Sequence, residues 1–154
     1  MKLSKNFTLN EYTRSMTATR LGIDNVPTSL HMRYAKALFE NVVQPVRDHF
    51  GITRISSGYR SPELNEAIGG STRSQHSKGQ AVYFECDGQD NLEVCKCIRD
   101  NLDYDQVISE FYEEGDPTSG WIHVSYVSPE ENRNRPLTAQ RVDGKVVYSV
   151  GLPE

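Results

Sequence analysis

The chain lacks the marks of several large protein classes. Its 154 residues hold only three cysteines, Cys86, Cys95 and Cys97, an odd number without the spacing of a disulfide framework or a structural zinc site. Cys95 and Cys97 lie two apart in a stretch that reads as helix, where they point to different faces, so free thiols are expected. No apolar run approaches the length of a membrane span. Lysine and arginine form no block or stripe, and the net charge is -4, which argues against nucleic acid as a partner. The first thirty residues hold no apolar run following their lysines. The expected location is therefore the cytoplasm of the producing cell, unless other machinery carries the chain out. No repeat, linker or low-complexity stretch breaks the chain, so residues 1–154 are expected to form a single domain, a monomer by default.

Apolar residues make up 36% of the chain, enough for one hydrophobic core, and their spacing outlines the elements. Phe7 to Tyr12 reads as a short helical turn capped by Thr8 or Asn10. After Pro27-Thr28-Ser29, the residues Ala35, Leu38, Phe39, Val42, Val43, Val46 and Phe50 recur at helical spacing. Pro45 lies inside that pattern and predicts a kink or break near Asn41. His31 and His49 fall at the two ends of this helix, as surface or capping residues. Gly51 stops the helix and a strand is expected over 52–56. Ser61-Pro62 opens a short helix that ends at Gly69-Gly70, and a polar loop runs to Gly79. Strands follow over 81–86, 106–111 and 121–126, with a helix over 91–102 between the first two. An Asp143-Gly144 turn predicts a C-terminal hairpin at about 140–150. Helices first and mostly strands later fit an α+β domain with an antiparallel sheet and helices packed on one face.

Four of these segments carry more polar chemistry than a fold requires. They are Ser57-Gly58-Tyr59-Arg60-Ser61-Pro62, Ser74-Gln75-His76-Ser77-Lys78-Gly79, Ala81-Val82-Tyr83-Phe84-Glu85 and Gly120-Trp121-Ile122-His123-Val124-Ser125. A lone loop histidine such as His76 is more often a surface residue than a ligand. A histidine in an apolar strand, such as His123, is more often a satisfied core residue. Taken together, two imidazoles from separate segments can converge on a catalytic zinc, which needs protein ligands plus an open position for water.

The order SGYRSPELN, SQHSKGQAVYF and GWIHVSY resembles the zinc D-alanyl-D-alanine carboxypeptidases and the related phage L-alanyl-D-glutamate endopeptidases, over a motif core of about 9–139. FTLNEYTRS and NRNRPLTA further resemble small phage-encoded members. The resemblance implies zinc as cofactor, with His76 and His123 as its first and last ligands. It implies that Arg60 binds the peptide, a role that suits a forked guanidinium. Ser57 and Gln75 belong to the same motifs, either lining the cleft or serving turn and strand-end hydrogen bonds. The implied substrate is the D-amino-acid-containing stem peptide of peptidoglycan, with action at the bacterial wall or within a phage particle, alongside other phage proteins.

The sequence departs from this pattern at two places. The family's second zinc ligand, an aspartate seven positions after the first histidine, is replaced by Tyr83. A phenol with a pKa near 10 is a poor ligand at neutral pH, and its ring reaches further than a carboxylate. Glu85 should share a strand face with Tyr83, as a replacement carboxylate or as a solvent-exposed glutamate. Where many relatives place a general base just before the last histidine, this chain has Gly120 and Trp121. Glu110, on the preceding strand, is the remaining carboxylate for that role. Two functions follow: a zinc-dependent stem-peptide hydrolase impaired at Tyr83, or an inactive peptidase fold used as a structural or wall-binding virion component.

Overall fold

The first half of the chain builds a helical layer, and each helix in it has a local cause. The computed structural model describes residues 1–154. Strands β1 (Lys2–Ser4) and β2 (Phe7–Thr8) pair as a small antiparallel ribbon. Helix α1 (Leu9–Thr13) begins at a full capping box, in which the Thr8 hydroxyl accepts from the Glu11 amide and the Glu11 carboxylate accepts from the Thr8 amide. Helix α2 (Met16–Leu21), absent from the sequence expectations, is capped by Ser15 and stopped by left-handed Gly22. Helix α3 (Ser29–Leu38) runs into a π-helical segment, Phe39–Val43, and then α4 (Gln44–Phe50). The Gln44 amide bonds to the Phe39 carbonyl, five residues back. Pro45, having no N–H to give, turns the expected break into a wider turn of helix.

The second half builds a six-stranded sheet. Its strands are β3 (Thr53–Ser57), β4 (Ala81–Cys86), β5 (Gln106–Glu110), β6 (Trp121–Ser125), β7 (Arg135–Val142) and β8 (Lys145–Val150), in the order β3-β4-β6-β5-β7-β8. Helix α5 (Pro62–Ala67), capped by Ser61, follows β3, and α6 (Asn91–Asn101), capped by Asp90, follows β4. The architecture is α+β as expected, but the sheet is mixed: β7 runs parallel to β5, and every other pair is antiparallel. The connection at 126–134 carries the chain from β6 past β5 to its far edge. It is pinned there by Asn134 N–H to the Tyr104 carbonyl (2.9 Å) and Arg135 N–H to the Asp105 carbonyl (3.0 Å). The hairpin expected at 140–150 starts earlier, at Arg135, and turns at Asp143-Gly144, both with positive φ.

Helices cover one face of this sheet. Ile55, Val82, Phe84, Val107, Ile122 and Val124 point into a single core with Leu38, Phe39, Val42, Val46, Val94 and Ile98. Strand alternation then puts Tyr83, His123 and Ile108 in one rung on the opposite face, since Tyr83 pairs with His123, His123 with Ile108 and Ile108 with Leu137. Phe39 lies at the centre of the helical side, fully buried, with the rings of Phe7 and Tyr12 edge-on at 5.2 Å each. Phe39→Ala is expected to lower the unfolding free energy by about 3–5 kcal/mol. Urea unfolding of the two proteins measures it, and an unchanged midpoint would mean that this aromatic cluster is not a packing centre.

Candidate active site

The cleft opens on the uncovered face of the sheet and has a volume of about 660 Å³. Residues from five parts of the chain meet in it: Arg60 from the β3–α5 turn, His76 from a 3-10 turn at Gln75–Lys78, Tyr83 from β4, His123 from β6 and Glu110 from β5.

His76 is buried and its orientation is fixed. Its Nδ1 is 2.9 Å from the Gly58 carbonyl, an acceptor, so that nitrogen carries the proton and Nε2 keeps a free lone pair. That Nε2 is buried with no partner. Gly58 must be glycine, because a Cβ there would meet the Tyr12 carbonyl at 2.2 Å. The two imidazoles are neighbours, with ring centroids 5.3 Å apart. Tyr83 packs against both, its centroid 4.4 Å from that of His76 and 5.4 Å from that of His123. The Arg60 guanidinium lies over the same ring at 5.4 Å, within cation–π range.

Burial sets the protonation states. It holds the His76 imidazole well below its ordinary value, helped by the charges of His123 and Arg60. It lowers His123 to about 4, with Arg60 adding to the effect and Asp105 opposing it. The Tyr83 phenol is pushed up by burial and then by Glu110, which deepens its neutrality at pH 7. The Glu110 carboxyl is also raised by burial. The Trp121 indole is near enough to pull against that rise, yet its N–H meets no acceptor in hydrogen-bonding geometry.

The other sequence candidates take different places. Gln75 lines the cleft, but its amide is committed to Asp105 Oδ2 at 2.8 Å. Ser57 lies on the wall of an adjoining cavity, with Arg60 Nη2 3.5 Å from its hydroxyl. Glu85 turns away from the cleft and accepts from the Asn91 amide at 3.2 Å. Sequence reasoning missed four cleft residues, Arg73, Lys78, Arg133 and Tyr148. Arg73 precedes the SQHSKG motif and Lys78 lies within it, so both could have been read from it. Arg133 and Tyr148 reach the cleft only through the fold.

The peptidase M15 family model matches residues 5–125 of this chain. The chain belongs to the peptidase M15 family. Curated proteins give no match to it. M15 peptidases are typically zinc-dependent, so the donor set of this M15 domain has to be tested against that metal. A catalytic zinc takes three protein ligands. Here two imidazoles come together, and no cluster of three His, Cys, Asp or Glu side chains capable of holding a metal exists anywhere in the structure. The unpartnered Nε2 of His76 suits a ligand, but a neutral phenol fills the third place. The residues present therefore do not fit a catalytic zinc.

Without metal, both imidazoles stay neutral in the fold, whereas in the unfolded chain they take up protons near the ordinary value of 6.5. Their contribution to stability is complete above pH 6.5 and is lost as the pH falls toward about 4 for His123. Imidazole NMR of the metal-free protein should show His123 still neutral at pH 5, well below the range where a free histidine titrates. Titration of His123 at its ordinary value would mean that the ring is solvated and the cleft open at that point.

Proposed function

We propose that this M15 domain engages the D-amino-acid-containing stem peptide of peptidoglycan in the cleft and, with Tyr83 in place, hydrolyses it little. The motif order supports the substrate class, and the cleft chemistry agrees with it. Arg60, Arg73 and Lys78 line the cleft against a single carboxylate, Glu110, while the charge of Arg133 is matched by Asp105. Such a lining attracts the terminal carboxylate of a peptide, and the Arg60 fork can hold a carboxylate or carbonyl in a fixed orientation. Glu110, its proton affinity raised by burial, is the group that would accept a proton from an attacking water. The resemblance of the opening and of NRNRPLTA to small phage-encoded members extends the same reading to a phage product, delivered to the wall by other phage proteins.

The observation that carries the low activity is the seat of Tyr83. Its ring stands against both imidazoles, 4.4 and 5.4 Å away, where the family pattern has an aspartate. A second reading rests on the same residue: a peptidase fold that binds the wall, or serves in a virion, without cutting.

Tyr83→Asp distinguishes the two. The protein with Tyr83 in place is expected to bind zinc far below one ion per chain and to release few muropeptides. Tyr83→Asp should raise both, zinc affinity by more than about 100-fold, since loss of an outer-shell partner alone costs about 10–100-fold. Zinc stoichiometry and muropeptide release, measured side by side, give the answer. Full zinc occupancy and brisk hydrolysis with Tyr83 present would overturn the proposal, and no gain from Tyr83→Asp would favour the non-cutting reading.

A further inference from the structure

A second cavity, of about 720 Å³, adjoins the cleft between α2, the end of β3 and α5. Arg60 lines both cavities. Arg14 and Arg20 join it, while no Asp, Glu or His lines the space. None of the three arginines takes part in a salt bridge; the chain's ion pairs use Arg54, Lys96, Arg99 and Arg133 instead. In a chain of net charge -4, three uncompensated cations around one cavity are not an average patch of surface. Like charges that share a cavity repel one another, and an anion placed between them removes that cost.

The walls are held at a fixed separation. One Asn25 amide donates to the Thr13 carbonyl (2.6 Å) and to the Tyr59 carbonyl (2.9 Å), and its oxygen accepts from the Ser61 amide (2.7 Å). Tyr59 N–H adds a bond to the Tyr12 carbonyl at 2.8 Å. These bonds tie the segment that carries Arg14 to the turn that carries Arg60. Thr17, Ser56 and Ser57 add polar lining, and Met16, Leu64 and Ile68 add apolar lining. Met16 is 92% exposed, which is unusual for a large apolar side chain beside a polar pocket.

We infer that this cavity is an anion subsite that takes a side carboxylate of the same peptide whose far end occupies the cleft, with the apolar wall against a neighbouring small side chain. The ligand class is an acidic peptide with an internal carboxylate, passing over Arg60 from one cavity to the other. The inference rests on the stem-peptide reading above, but it requires neither zinc nor hydrolysis.

Isothermal titration of the whole protein with two stem pentapeptides tests it, one with a free carboxylate on its glutamate and one with that carboxylate amidated. Arg14 and Arg20 are both exposed, so Arg14→Gln/Arg20→Gln should fold normally, which circular dichroism checks. The unsubstituted protein is expected to bind the free-acid peptide about tenfold more tightly than the amide, a preference that weakens with added salt. The double variant should bind both peptides alike, at the affinity of the amide. Equal binding of the two peptides by the unsubstituted protein would overturn the subsite and leave the stem-peptide reading standing. So would an equal loss for both peptides in the variant. Binding of neither peptide by the unsubstituted protein would overturn both readings.

Discussion

Helices cover only one face of the six-stranded sheet, and strand alternation therefore sorts the later half of the chain into two sets of residues. Val82, Phe84, Ile122 and Val124 go to the core, and Tyr83 and His123, one position along, go to the open face. The site exists because this face has no helix to pack against and can hold polar groups. A slip of one residue in the β4–β6 register would bury His123 among aliphatics and send Ile122 to the cleft. The loops that carry Arg60 and His76 then close over the open face, joined to each other by the Arg60 N–H bond to the His76 carbonyl at 3.1 Å.

An ion pair between the buried Asp105 and the half-exposed Arg133 fixes the floor beside the cleft. Asp105 is 1% exposed, and its carboxylate accepts from the backbone amide, Nε and Nη2 of Arg133 and from the amide of Gln75. A buried carboxylate so fully hydrogen-bonded is kept ionised, and its pKa is held below the ordinary value even though burial alone would raise it. It joins the loop of His76 to the connection that leads into β7. Removing Arg133 would leave the buried Asp105 charge uncompensated, the costly case for such pairs. Asp105 is thus spent on architecture, and it is not a spare ligand for the site.

Tyr83 changes the site's character in two ways. It withdraws the negative charge that an aspartate would bring among several cations, and it fills space beside both imidazoles with a ring that also offers its face to Arg60. What remains is an aromatic and cationic cleft with one carboxylate. The adjoining cavity continues the same charge pattern.

The sequence alone determined what rests on local backbone chemistry or on unbroken motifs. Pro45 marked the irregular turn in the long helix, Asp143-Gly144 the hairpin turn and Ser61 a cap; Thr8 was one of two caps open for α1, and β4 lies at 81–86 as expected. His76, His123, Arg60, Tyr83 and Glu110 were named from their motifs and strands, and the structure lines a single cleft with them. Tertiary structure decided the rest. The parallel pairing of β5 and β7 depends on how Asn134 and Arg135 bond to Tyr104 and Asp105, a contact across some thirty residues that no periodicity records. Gln75 lost its freedom to Asp105, Ser57 fell on the far side of Arg60, and Glu85 was taken by Asn91. Helix α2 is short and mostly exposed, so it left little apolar pattern to read. In each of these cases the deciding partner lies far away in the chain, and only folding brings it within hydrogen-bonding distance.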